Sequence, residues 1–256
     1  MSTLTVNGIS KSFYGVKAVQ GVSFEIGPGQ IMALIGPNGA GKSTCFNMLN
    51  GQLRPDTGSV TFGGHDITGS APSEIWRHGV GRTFQIAQTF GSMTVRENVQ
   101  MVLHSVNRRL WGLWSPLMAG YAAEADELLE AVGMQEQADR ACCVLAYGDV
   151  KRLELAMALA NRPRLLLMDE PTAGMAPKER NELMSLTARL VTERGLSVLF
   201  TEHSVDVVFE HANTVVVMSR GQLIARGTPE EIREDPLVQE VYLGSGAFLE
   251  TSGIGQ

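Results

Sequence analysis

The chain has 256 residues, 44% of them hydrophobic and 19% charged, with a formal net charge of -6. That is the composition of an ordinary globular protein with a sizeable core, which excludes a disordered or fibrous chain. The acidic balance argues against wholesale nucleic-acid binding, and no apolar run is long enough to span a membrane.

At the N-terminal end, "TLTVNGIS" and "GVSFEI" alternate apolar and polar residues as half-buried strands do, and "GPG" at 27–29 is a turn. This start carries no basic stretch followed by an apolar one, so no signal peptide is expected and the cytoplasm is the expected location. "QIMALI" at 30–35 is a continuous apolar run and predicts a buried strand. A helix is expected from Lys42 to Asn50, ending at Gly51. "GSVTFGGHDIT" reads as a hairpin turning on Gly-Gly.

From about Ser73 to Ala160 the chain reads mostly helical, most clearly over Glu124 to Val132 and Val150 to Ala160. In the second of these, Leu153, Ala156, Met157 and Ala160 recur at helical spacing, with Lys151, Arg152 and Glu154 expected to face elsewhere. Adjacent Cys142 and Cys143, with Cys45 apart, match neither zinc-ligand spacing nor a disulfide framework, which favours a reducing compartment.

The last third returns to alternating strands and helices. "LLLMD" at 165–169 predicts a buried strand, 178–193 a helix and "LSVLFTEH" at 196–203 another buried strand. "TVVVMSRGQLIARG" reads as a strand pair turning at Arg220-Gly221, and Thr228-Pro229-Glu230-Glu231 as a capping box with Pro at the first helical position. Strands alternating with helices imply an α/β fold with a largely parallel sheet.

Two motifs carry chemistry. "GPNGAGKST" (Gly36, Pro37, Asn38, Gly39, Ala40, Gly41, Lys42, Ser43, Thr44) follows a predicted strand and opens a predicted helix, the context of a phosphate-binding loop. Glycines let backbone N–H groups approach phosphate oxygens, and the helix N-terminus adds its dipole. Lys42 reaches the β- and γ-phosphates, and the Ser43 hydroxyl is a ligand for Mg²⁺. "LLLMDE" ends a strand in Asp169, suited to hold Mg²⁺, and Glu170, suited to deprotonate water. Alone, such a run is often a strand meeting a solvated loop; beside the phosphate loop it reads as catalytic.

"GPNGAGKST", "TFQ", "LAYGDVKRLELAMALA", "LLLMDEPTAG" and "LFTEH" stand in a fixed order. Together they resemble the ATP-binding cassette family, the ATPase subunits of ABC transporters, over essentially the whole chain. The resemblance implies a P-loop NTPase core with a parallel sheet, an N-terminal antiparallel β subdomain and an inserted α-helical subdomain. It implies one domain over 1–250, with the helical and signature part at about 86–160 and a tail at 251–256.

It further implies ATP and Mg²⁺ as cofactors, Glu170 as catalytic base, His203 as the switch residue at the γ-phosphate and Gln85 near Mg²⁺ and the transport-domain contact. Phe13 sits where the family stacks an aromatic on adenine, with Tyr14 as a rival. Ala146, Tyr147, Gly148 and Asp149 form the signature turn, which family members place on the ATP of a second cassette. The implied partners are therefore a second cassette, identical or not, transmembrane permease subunits and, indirectly, a solute-binding receptor, with no nucleic acid. The implied location is the inner face of the cell membrane, held there by the permease.

Within the family, "LAYG", "RLELAMAL", "DEPTAGMAP", "TEHSVDVVF" and "GTPEEIREDPLVQEVYLG" are most similar to cassettes of branched-chain amino acid importers. Two departures stand out: Met175-Ala176 where most cassettes carry an Asp, and Asp149 where the signature continues with Gln. Ala146 also replaces the signature Ser, whose hydroxyl bonds phosphate. That loss costs about 1.5–3 kcal/mol, while Gly148 and the helix N-terminus remain, Asp149 suits a first helical turn and Arg152 is placed to offset its charge.

Two rivals are set aside. A soluble cassette ATPase acting on DNA or ribosomes would need a long coiled coil or a second cassette in the chain, and a small-molecule kinase would not need the signature. Trp111 and Trp114, at helical spacing in "RRLWGLWSPLM", suit a permease contact or local packing, and less well a lipid surface because Gly112 and Pro116 interrupt a helix.

Overall fold

The computed structural model describes residues 3–83, 89–106 and 120–243. Two sheets organise the chain. The first is antiparallel, in the order β2 (Val16–Ile26), β1 (Leu4–Phe13), β4 (Thr57–Phe62), β5 (His65–Asp66). The expected Gly-Gly hairpin is its β4–β5 turn, with Gly63 and Gly64 both at positive φ.

The second sheet has six strands in the order β10 (Gln222–Gly227), β9 (Thr214–Ser219), β3 (Ile31–Ile35), β8 (Ser197–Thr201), β7 (Leu165–Asp169), β6 (Val80–Thr83). All neighbouring pairs run parallel except the β9–β10 hairpin. The continuous apolar runs are explained by burial on both faces. Along β3, Ile31, Ala33 and Ile35 join one core, and Met32 and Leu34 join the other.

Helix α1 (Lys42–Leu49) lies in the core between the two sheets, through Cys45, Phe46, Met48 and Leu49. The opposite core holds α3 (Val95–Val106), α4 (Ala122–Ala131), α5 (Tyr147–Leu159) and α6 (Pro177–Arg194). The short α2 (Pro72–Arg77) precedes β6. Chain order closes with α7 (Val205–His211), α8 (Pro229–Glu234) and α9 (Pro236–Leu243). The expected capping box starts α8: Glu231 N–H donates to Thr228 Oγ1 at 3.3 Å, and Thr228 N–H donates to Glu231 Oε2 at 2.8 Å.

Three sequence expectations need correction. The stretch from Ser73 to Ala160 is not uniformly helical, because β6 lies inside it. "VGRT" lacks an apolar run; its Gly81 is where α5 approaches, and a Cβ there would stand 3.0 Å from the Ala158 carbonyl oxygen. Lys151 and Glu154 are not on a solvated face. They are buried together, Nζ to Oε2 3.1 Å, because α5 is covered on several sides by α3, α4, α6 and β6. The strand expected over 196–203 ends at Thr201, where the chain turns toward α7.

Candidate functional site

The parallel sheet assembles the site. Leu34 on β3 pairs with Thr201 on β8, and Thr201 pairs with Asp169 on β7. The loops leaving these three strands emerge side by side at the carboxyl ends, where open α/β sheets bind ligands. They begin with Gly36 after β3, Glu202-His203 after β8 and Glu170 after β7. A cavity of about 230 Å³ is lined by Asn38 to Thr44, Ala18, Glu170 and His203.

The loop Gly36–Thr44 depends on glycine at two positions. Gly36 has φ 153°, and a Cβ would stand 2.1 Å from the Met218 carbonyl oxygen. Gly41, the N-cap of α1, has φ 99°, and a Cβ would stand 2.3 Å from the Ala18 carbonyl oxygen. Neither conformation nor space admits another side chain. The first N–H groups of α1 have no intrahelical acceptor and open on the cavity, joined by the helix dipole. Lys42 is buried and donates to the carbonyl oxygens of Gly36 at 2.7 Å and Pro37 at 3.2 Å. Burial lowers the pKa of its ammonium, and the charges of Glu170 and Asp169 work in the opposite direction. Both carboxylates are therefore felt at the lysine. Cys45, just inside α1, is core material: burial pushes its thiol up to about 12.

Three consecutive residues, Thr201 at the end of β8 and Glu202-His203 after it, hold the acidic end of β7. Thr201 Oγ1 donates to Asp169 Oδ1 at 2.8 Å, and accepts from Glu170 N–H at 3.1 Å. Glu170 itself has φ 47°, a left-handed conformation these bonds stabilise. His203 Nε2 lies 2.8 Å from Glu170 Oε1. When the carboxylate is ionised it only accepts, so the His203 Nε2–H donates and orients Glu170.

Glu202, which sequence reasoning missed, is buried between them. Its Oε1 accepts from Thr172 N–H at 2.9 Å and from Thr172 Oγ1 at 2.6 Å. This ties the loop after Glu170 to the strand end before His203. Its signal was only an acid beside a histidine, which does not separate a buried anchor from a surface charge. Glu202→Ala is expected to cost about 2–4 kcal/mol, because it orphans two buried donors. Glu202→Gln should cost less than half of that in the same chemical unfolding measurement, and equal losses would show that the hydrogen bonds do not matter.

The structure brings Gly36 to Thr44, Asp169, Glu170 and His203 together. Among the described residues, it does not bring the other expected site residues to the cavity. Phe13 ends β1 and is 39% exposed, with Lys11 Nζ 5.8 Å from its ring centroid. Tyr14 is fully exposed at the adjoining turn. Gln85, Trp111 and Trp114 lie outside the described residues.

Ala146 is the N-cap of α5, followed by Tyr147, Gly148 and Asp149 in its first turn. This turn packs on the loop after Glu170. A methyl group on Gly174 would stand 3.6 Å from Tyr147 Cε1, and one on Gly148 3.7 Å from Met175 Cε. Met175, the departure from the usual Asp, is a buried core residue. Arg152 does not offset Asp149 as expected; its Nη2 donates to Glu182 Oε2 on α6 at 2.9 Å. Side chains on α5 point back toward its N-terminus, and α6 sets Glu182 within hydrogen-bond reach of Arg152.

Comparison with known proteins agrees with this geometry. The ABC transporter family profile matches residues 19–173, and the profile of the branched-chain amino acid ATP-binding cassette transporter matches residues 222–247. The chain is 41% identical over 248 residues to the high-affinity branched-chain amino acid transport ATP-binding protein BraF of Pseudomonas aeruginosa, covering 94% of this chain and 97% of that one. It is 39% identical over 250 residues to LivG of Escherichia coli K12, with 94% and 97% covered. Among solved structures, an ABC transporter cassette in its ADP conformation has a TM-score of 0.85 at 33% identity, covering 95% of this chain and 99% of that one. A nucleotide-free cassette has a TM-score of 0.83 at 32% identity, covering 94% and 99%. Fold, site and full-length relatives thus converge: the chain belongs to the ABC transporter family, as one of its ATP-hydrolysing ATP-binding cassettes.

Proposed function

We propose that the chain powers uptake of branched-chain or closely related amino acids by hydrolysing ATP between itself and a second cassette. The observation that carries the hydrolytic half is the meeting of the Gly36–Thr44 loop, Glu170 and His203 at one cavity. Backbone N–H groups of the loop, with Lys42, cradle the phosphates. Glu170, oriented by His203, takes the proton of the attacking water. Ser43 and Asp169 supply oxygen donors only, a set suited to Mg²⁺, which typically takes one or two carboxylates plus phosphate oxygens and water. When bound, the ion would neutralise charge developing on the phosphates.

The signature turn Ala146–Asp149 lies outside that cavity, which supports its use on the partner's ATP. Phe13, exposed at the end of β1, is read as the adenine platform. Uptake of amino acids is supported by the relatives' names and by the match at residues 222–247. Among the described residues no helix is long and apolar enough to cross a membrane; the transport names of the relatives support a place on the inner face, held by permease subunits. Val80 and Arg82 of β6, the strand leading to Gln85, line an apolar groove beside α2 that suits a permease helix.

The test is reconstitution with permease subunits and solute receptor in vesicles. ATP-dependent accumulation of labelled leucine or valine is expected, and turnover insensitive to the permease would overturn the reading. In the same vesicles Ala146→Ser should raise turnover by about ten- to a hundredfold through a regained phosphate hydrogen bond. Because Ala146 is an N-cap with no side-chain bond, the serine should also stabilise α5 by about 1 kcal/mol. Unchanged or lower turnover would show that Ala146 carries no cost.

A further inference from the structure

The groove beside α2 has a volume of about 420 Å³ and is lined by apolar side chains such as Ile75, Trp76, Val102, Met157 and Leu167. Glu154 of α5 is also in its wall, and it is nine-tenths buried. A carboxylate in such a wall is costly unless paired. It is paired with Lys151, one turn nearer the start of α5, with Nζ at 3.1 Å and both side chains 3–5% exposed. The same ammonium lies 5.7 Å from the ring centroid of Tyr147, within cation–π range. Tyr147 in turn borders Gly174 in the loop after Glu170. One short row of side chains therefore runs from the groove wall to the signature turn and on to the catalytic loop.

Resting on the reading above, in which a permease helix fills the groove, we propose that the Lys151–Glu154 pair positions Tyr147 and the signature turn in response to what occupies the groove. The physical basis is competition for one ammonium. Low dielectric strengthens every electrostatic contact in this row. A permease helix that presents a hydrogen-bond donor or a cation to Glu154 weakens its hold on Lys151. The ammonium then shifts toward the Tyr147 face, and the first turn of α5 moves with it. A helix that presents only apolar groups tightens the Lys151–Glu154 pair instead. The occupant that activates the cassette therefore carries an apolar ridge and one donor opposite Glu154.

The test uses the full chain, alone with ATP and assembled with its permease in vesicles. Lys151→Met with Glu154→Leu removes both charges together and keeps the volume, a replacement buried pairs commonly tolerate. The double variant is expected to keep turnover without permease within about threefold, and to lose about fivefold or more of the permease's stimulation. Lys151→Arg alone, which keeps the charge opposite Glu154, should retain at least half of the stimulation. Should the double variant not fold, Glu154→Gln keeps the shape but loosens the hold on Lys151, so it is expected to raise turnover without permease toward the stimulated level and to lose the further stimulation. Full stimulation in these variants overturns the proposal, as does an equal loss with and without permease, which would mark a merely structural pair. A wild-type chain that the permease does not stimulate overturns the function reading, and this proposal with it.

Discussion

Glu170→Gln is expected to bind ATP within a few-fold of the wild-type affinity while turnover falls by about two to four orders of magnitude, the range of a lost general base. The geometry makes the experiment clean. His203 Nε2 lies 2.8 Å from Glu170 Oε1; an ionised carboxylate can only accept there, and the amide oxygen of Gln can accept the same bond. The left-handed backbone at Glu170 is held by Thr201, not by the carboxylate. Substitution thus removes basicity and the negative charge felt at Lys42, while these two bonds remain. ATP binding is read with a fluorescent analogue and turnover by phosphate release. A variant retaining more than about a tenth of wild-type turnover would remove Glu170 from the role of base. Loss of binding in parallel would assign it to nucleotide affinity instead.

Gly36→Ala is expected to abolish nucleotide binding and to cost about 3 kcal/mol or more of stability. The added Cβ would stand 2.1 Å from the backbone oxygen of Met218 on β9, the strand paired with β3. A strand backbone inside a six-stranded sheet cannot yield, so the loop must. Displacing the phosphate-binding N–H groups by about 1 Å is enough to lose about a hundredfold. Gly39→Ala is the matched control. It sits in the same loop at φ 79°, but a Cβ there meets nothing within 4 Å. Its cost should stay near the roughly 1–2 kcal/mol of a left-handed alanine. Thermal unfolding and analogue binding of the pair would decide, and equal losses would show that conformation, not the approach of Met218, governs Gly36.

Much of this was legible in advance. The phosphate loop announced itself because a strand, a glycine-rich turn and a helix N-terminus are local and contiguous. Asp169 and Glu170 were legible because a strand buried on both faces must be apolar until it ends. The hairpins at Gly63-Gly64 and Arg220-Gly221 came from turn chemistry. β6 was not legible: its four residues carry neither an apolar run nor a clean alternation, and its place comes from pairing with β7 and from α5 resting on Gly81. Lys151 and Glu154 were misassigned for a related reason. Periodicity marks the stripe a helix must bury, but not how many neighbours will cover the rest.

The sequence by itself determined which residues could do chemistry, because phosphate binding, proton abstraction and helix capping each demand particular side chains at short, fixed spacing. Only the tertiary structure decided which of them act on one another. The pairing of His203 with Glu170, the grip of Glu202 on Thr172, and Arg152 choosing Glu182 over Asp149 all join residues about 30 apart in the chain. Contacts of that kind are set by parallel strand register and helix packing, which no local pattern encodes.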